Sequence, residues 1–407
     1  MPKQTALDAL QPLFELTNAE RESVGLDAVP PHWERVLFKD TVAFFEGDTL
    51  RKFLRASAGG YLEVDTALAT RERAWLLPKT ERGKERKLTA AVLLVAERAN
   101  GRWFQASFIG ERLTQSSVAA LNTANMRAID FWNDDALPDH AGLRDYLRAR
   151  LQGMPERLRE DIALMKSAPR QQVKYAAGDV FRFRIDDMRY GFGLLLGSLK
   201  EIRAAGLLPD GHPWHHVMTV PLVVRLFGGA SSEPAPGIDA LSAWPLLPAQ
   251  TMMDNQLFWG NFPVVGRKML VPGDIEFPCG VGNAPAQDRQ AFFYWGFGWH
   301  RLADAAIGGG TDSGLGIGQL DRTPLQDALA GATPMRSRSL RHPDHAEAFA
   351  SVLGKIGCGD VPDYATYARW AGCLSPEAFI AHVQPGVPAG RAKAKTRSKA
   401  AAGDRTG

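Results

Sequence analysis

Paired cysteines, long apolar runs and a domain-wide excess of one charge are all missing from this 407-residue sequence, and each absence narrows what it can be. Three cysteines, Cys279, Cys358 and Cys373, are an odd number with no C-x-x-C spacing, which argues against a disulfide framework or a zinc ribbon and fits a reducing compartment. The longest uninterrupted apolar stretch, Ala90–Ala96, falls far short of the ~18–20 residues a membrane helix needs. No apolar signal core with a small-residue cleavage site follows Met1-Pro2-Lys3-Gln4-Thr5, so the expected location is the cytoplasm, with no membrane contact.

The formal charge of +3 does not mark a nucleic-acid binder, because of where it sits. Arg391, Lys393, Lys395, Arg397, Lys399 and Arg405 stand against Asp404 in the final segment, a net of +5, so the rest of the chain carries −2 of the total +3. Duplex binders carry a basic footprint across a domain, and there is none here. Also missing are H-E-x-x-H, G-x-x-x-x-G-K-[ST], G-x-S-x-G and the kinase loop set. Their absence favours binding over catalysis.

What is present is the balance of a folded protein, 45% apolar and 23% charged. The length exceeds the roughly 250–300 residues at which single cores stop growing, so two or three folding units are expected. The expected class is α+β. Residues 1–170 form an α+β N-terminal domain, 171–300 a β-rich module of antiparallel strands, 301–388 a glycine-rich loop with a helical C-terminal region, and 389–407 a disordered basic tail.

In the N-terminal part, Leu7, Leu10, Leu13 and Phe14 are spaced for a short packing helix that ends at Pro30-Pro31. Apolar clusters predict strands at Val42–Phe45, Tyr61–Val64, Ala74–Leu77, Ala90–Val95 and Trp103–Phe108, with a charged solvated loop at 78–87. Between Gly142 and Lys166 a helical pattern is interrupted at Gly153 and Pro155, giving two helices.

The next module opens on a hairpin. Phe181, Phe183 and Ile185 alternate with Arg182 and Arg184, the period-two pattern of a half-buried strand with its arginines outward. Asp186-Asp187 makes the turn, and Arg189–Leu196 returns with Gly191 and Gly193 where a bulge or a close approach is expected. Pro221 within the strand Val217–Phe227 argues for an edge position or a bulge, and the strand is expected at the sheet margin. Residues 228–250 read as a proline-rich surface insertion with a short helix near Ile238–Trp244, and strand character resumes at Phe262–Gly266 and Met269–Pro272. Phe292–Trp299 reads as one aromatic strand that something must cover. Helices are predicted over His342–Gly357, Tyr364–Ala371 and Pro376–Val383, the last with Ser375 as N-cap.

Three features carry candidate chemistry. His212, His215 and His216 offer imidazoles to a divalent metal such as zinc, against a turn in which they cap backbone or pack on Trp214. Gly308–Gly318 converges on neither a P-loop nor a dinucleotide fingerprint and reads as a flexible loop. At the hairpin, Arg182, Arg184, Asp186, Arg189 and Tyr190 are residue types that anchor protein interfaces, set against simple solvation of a sheet face.

The blocks Gly178-Asp179-Val180-Phe181 and Arg189-Tyr190-Gly191-Phe192-Gly193, with Phe262–Gly266, Pro272 and Phe277-Pro278 later, resemble the opening and closing blocks of immunity protein family 26. The resemblance spans about residues 175–282 and implies a bacterial protein that binds and neutralises a cognate toxin in the cytoplasm without a cofactor. The family label is also attached to a phosphotriesterase, which implies as alternative a metal-assisted phosphoester hydrolase with the three histidines as ligands. The 228–250 insertion and the flanking regions depart from the family pattern.

Overall fold

The computed structural model describes residues 14–38, 41–71, 74–75, 86–87, 101–109, 117–131, 137–217, 219–283, 291–302, 320–330 and 339–384. The packing helix placed around Leu7–Leu13, the strand Ala90–Val95, most of the charged loop, the glycine-rich loop and the basic tail lie outside them. Antiparallel sheets and helices alternate through the chain, an α+β architecture as the patterning predicts. No described helix is long and apolar enough to cross a membrane.

The N-terminal sheet is a meander of β1 (Glu34–Phe38), β2 (Thr41–Glu46), β3 (Thr49–Ser57), β4 (Gly60–Arg71), β7 (Arg102–Ser107), β8 (Ser117–Asn122) and β9 (Arg127–Phe131). The two-residue strands β5 (Ala74–Trp75) and β6 (Arg86–Lys87) branch from β4. Alternation sorts its side chains: Ala43, Phe45, Phe53 and Val64 form a small cluster on one face, while Val42, Phe44, Leu54 and Phe104 pack on the other with Leu143, Leu147, Leu158 and Ile162. Those three leucines and one isoleucine belong to the helices His140–Gly153 and Glu156–Ser167, separated where Gly153 and Pro155 predict.

The helix-facing side of this sheet also buries charge. Lys52 on β3 is 0% exposed and pairs across the strands with Asp65. Its Nζ also lies 2.9 Å from Glu63, which accepts from Arg21 Nε at 2.6 Å and from the Tyr61 hydroxyl. Arg21 comes from the helix Asn18–Ser23, capped reciprocally by Thr17 and Glu20, so the network fastens that helix to the sheet.

The second sheet runs β13 (Gln250–Met253), β12 (Pro221–Leu226), β11 (Tyr190–Ser198), β10 (Asp179–Arg184), β14 (Val264–Arg267). The predicted hairpin is β10–β11, in register from Arg184↔Tyr190 to Val180↔Leu194. Gly191 and Gly193 face Phe183 and Phe181 across the pair, and a Cβ on either would run into the opposite ring. Of the two expectations for these glycines, the close approach is what occurs, and the bulge sits further on, between Leu195 and Gly197.

Two expectations are corrected in this sheet. The strand carrying Pro221 is interior, bonded to β11 and β13, because proline as its first residue forfeits no ladder bond. The hairpin is not half-buried. Phe181, Phe183 and Leu195 enter one core with Leu222, Val224 and Phe262, while Val180, Tyr190, Phe192 and Leu194 enter another. Of the 228–250 segment, the helix Ile238–Ser242 forms as predicted, but Leu241 is fully buried, so the segment is more than a surface excursion.

The third sheet joins β15 (Cys279–Asn283), β16 (Ala291–Trp295) and β17 (Gly298–Arg301). The aromatic run predicted as one strand is therefore a hairpin, turning at Gly296-Phe297. Its cover is the C-terminal helices Ala346–Lys355, Tyr364–Ala371 and Pro376–Val383: Trp295 meets Phe349 edge-on at 5.4 Å and stacks on Tyr367 at 4.9 Å, and Phe277 meets Phe379 at 4.9 Å. These aromatics share one continuous core with Phe192 and Leu194 of β11. The Thr323–Ala330 helix lays Leu325 on the opposite core.

Candidate functional site

The motif at the start of β10 is a structural clasp. Gly178 has φ +87, and a Cβ there would collide with the Gln384 amide and the Lys268 carbonyl. Asp179 is buried, accepting the Ala176 N–H at 2.7 Å and Arg267 Nε at 2.7 Å, so Gly-Asp fixes the turn into β10 and holds β14 beside it. Gln384 completes the clasp from the last helix, donating to Ala177 O at 3.1 Å and accepting the Leu270 N–H at 3.2 Å.

At its other end the hairpin projects a braced turn. Asp186 Oδ1 accepts the N–H groups of Met188 and Arg189 at 2.8 and 2.7 Å, and its other oxygen accepts from Arg189 Nε at 2.7 Å. Met188, 62% exposed, tops the turn beside exposed Arg189. Asp187 leans back to pair with Arg150 of the N-terminal domain, and burial pushes its carboxyl above the usual range although Arg150 and Arg184 oppose the shift.

Arg182 and Arg184 lie on the same sheet face as Tyr190, with guanidiniums 5.0 and 5.2 Å from its ring. That face does not look into solvent as the alternation implied, because the Glu156–Ser167 helix reaches Arg184 and Pro234 of the 228–250 segment reaches Arg182. Arg184 Nε donates to Asp161 at 2.9 Å, and further bonds reach the carbonyls of Asp187 and Arg157. Arg182 donates to Pro234 O at 3.0 Å. Arg322 donates to Asp130 at 2.7 Å and to Arg184 O at 3.1 Å, and Asn261 bridges the Met126 carbonyl and the Ala128 N–H. A cleft of about 120 Å³ remains along this seam, lined among others by Arg127, Arg182, Arg184, Arg322, Asp130 and Asp161. Of the five hairpin residues picked from the sequence, Arg182, Arg184 and Tyr190 line the cleft, and Asp186 and Arg189 form the turn above it.

The histidines do not converge. His212 is fully buried; its Nε2–H donates to Gly296 O at 2.9 Å and its Nδ1 accepts the Trp214 N–H at 3.1 Å, leaving no lone pair for a metal. Burial holds its imidazole down at about 4, well below its ordinary range. His215 and His216 are exposed, and the His215 ring reaches only Pro209 O, at 3.2 Å. This is the capping and packing arrangement weighed against the metal site. Among the described residues no three His, Cys, Asp or Glu side chains are grouped to hold a metal ion.

Sequence reasoning missed the Lys52–Glu63–Asp65–Arg21 network. Alternation assigns such charges to solvent, and only a helix laid over the same face reverses that reading. It also missed the contribution of Arg127, Asp130 and Asp161 to the seam, since nothing in the linear sequence joins β9 or the Glu156–Ser167 helix to the hairpin.

No curated protein and no solved structure matches the chain. Residues 176–281, 106 of the 407, match the family described as Immunity protein 26. That span runs from the Gly178-Asp179 clasp into β15, which makes the central module similar to immunity protein 26, in agreement with the motifs that suggested it.

Proposed function

We propose that this is an immunity-type protein of a bacterial polymorphic-toxin system, binding and neutralising a cognate toxin in the cytoplasm through its central module. The match over residues 176–281 carries this reading. The hairpin turn supports a contact surface: Asp186 and Arg189 hold each other and the backbone in place, so Met188 is presented at little further entropic cost. Arg182, Arg184 and Tyr190 sit beneath it as a rigid base. The metal-assisted hydrolase reading has no comparable support, since His212 spends both ring nitrogens on backbone partners.

The test is to read the genes beside this one for a toxin and to co-express the two. The full chain should restore growth to cells making the toxin, and a chain carrying Met188→Glu and Arg189→Glu should not, while accumulating to the same level. Failure of the unaltered chain to protect overturns the proposal.

A further inference from the structure

The seam between β9, the Glu156–Ser167 helix and the hairpin holds a surplus of positive charge that the fold leaves unspent. Four arginines line it against two aspartates, and both aspartates are committed, Asp161 to Arg184 and Asp130 to Arg322. Arg127 and Arg182 have no carboxylate partner among the described residues. Arg182 uses one nitrogen on Pro234 O and rests against the Tyr190 ring, and Nε of Arg127 is buried with no hydrogen-bond acceptor among the described residues.

Two guanidiniums facing one cavity are suited to an oxyanion that accepts several N–H bonds at once. At about 120 Å³ the cleft has room for several waters, and so for a tetrahedral oxyanion. The surplus of two positive charges matches a phosphate group carrying about −1.5 to −2 at neutral pH, whereas one carboxylate leaves half of it uncompensated and a neutral phosphoester meets none of it. Phe183, Phe262 and Pro263 also line the cleft, and their apolar surface lowers the local dielectric, which strengthens the electrostatic attraction.

We propose that this seam is a phosphate-binding site, filled by inorganic phosphate or by the phosphate monoester of a small molecule, and closed by Arg127 from the N-terminal domain and Arg182 from the central module. It is built from both parts of the chain: Arg127, Asp130 and Asp161 lie outside residues 176–281, and Arg182 and Arg184, at the base of the hairpin turn, lie within them. Bound phosphate bridges the two parts and stabilises both.

Calorimetric titration of the full chain with inorganic phosphate, at constant ionic strength in chloride, tests this. Saturable binding at one site per chain is expected, with affinity lowered at least tenfold in Arg127→Gln and in Arg182→Gln, unchanged in Arg189→Gln, and at least tenfold weaker for acetate. A ribose 5-phosphate arm separates the sources: tighter binding than inorganic phosphate assigns the site to a monoester, weaker binding to the free ion. Should either glutamine variant not fold, the thermal midpoint of the unaltered chain decides, and phosphate must raise it above the value in isoionic chloride. No saturable heat, equal binding of acetate, or affinity indifferent to both glutamine substitutions in folded variants overturns the proposal.

Discussion

Arg184 of the central hairpin donates from Nε to Asp161 of the Glu156–Ser167 helix at 2.9 Å, joining two parts of the chain that the sequence presents as separate units. The pair is mostly shielded from water, and the same arginine also holds the Asp187 and Arg157 carbonyls. Arg184→Ala should therefore cost about 1–3 kcal/mol, chiefly through orphaned acceptors. Asp161→Asn should cost about 1 kcal/mol, because an amide still accepts a hydrogen bond. A double-mutant cycle by urea unfolding should return coupling of about 1 kcal/mol, and additive effects would show that the pair does not hold the seam.

Stability should depend on His212 in an acid window. In the unfolded chain this histidine takes a proton near its ordinary value of 6.5, whereas in the fold it stays neutral down to about 4. Between those values the unfolded state binds more protons, so the contribution is complete above about 6.5 and is lost as pH falls towards 4. The loss should reach up to roughly 3 kcal/mol. His212→Gln should flatten that part of the stability profile, and metal chelation should leave the unaltered chain's melting point where it was.

The buried charges of the N-terminal sheet make a sharper prediction. Fully buried Glu63 takes bonds from Arg21, Lys52 and Tyr61, so Glu63→Gln takes the carboxylate from buried Arg21 and leaves Lys52 with Asp65 alone. A loss of about 3–5 kcal/mol is expected in chemical denaturation. Lys52→Met removes one of those cations and should cost less.

How much of this could be read in advance differed by element. The β10–β11 hairpin, the break at Gly153 and Pro155, and the helices Tyr364–Ala371 and Pro376–Val383 were legible because their signals are local: alternation, a breaker, an N-cap serine before a proline. What alternation could not reveal was how many layers cover a strand. Arg182 and Arg184 read as outward-facing because one buried face was assumed, while the strand has cores on both sides. Pro221 misled for a related reason, since its cost depends on its place within the strand. Of the seam, the hairpin's share was legible, and the share from Arg127, Asp130 and Asp161 was not, because contacts between distant segments leave no periodicity.

Gly193 offers a test of the motif itself. A Cβ there meets the Phe181 ring, which stacks in turn on Phe262 with centroids 5.8 Å apart, so the ring has no free direction in which to yield. Gly193→Ala should destabilise the protein by about 1–3 kcal/mol. Adding Phe181→Leu should recover part of that loss, and a neutral Gly193→Ala would show that the facing pair is not what demands glycine.

The most direct test of the central claim is a calorimetric titration of the purified full chain with the toxin encoded beside its gene. We predict a one-to-one complex with Kd at or below about 1 μM, weakened at least about tenfold by combined Met188→Glu and Arg189→Glu in a chain that melts normally. Absence of any complex, or full affinity in that doubly substituted chain, would contradict the assignment of the module's hairpin as the surface that meets a toxin.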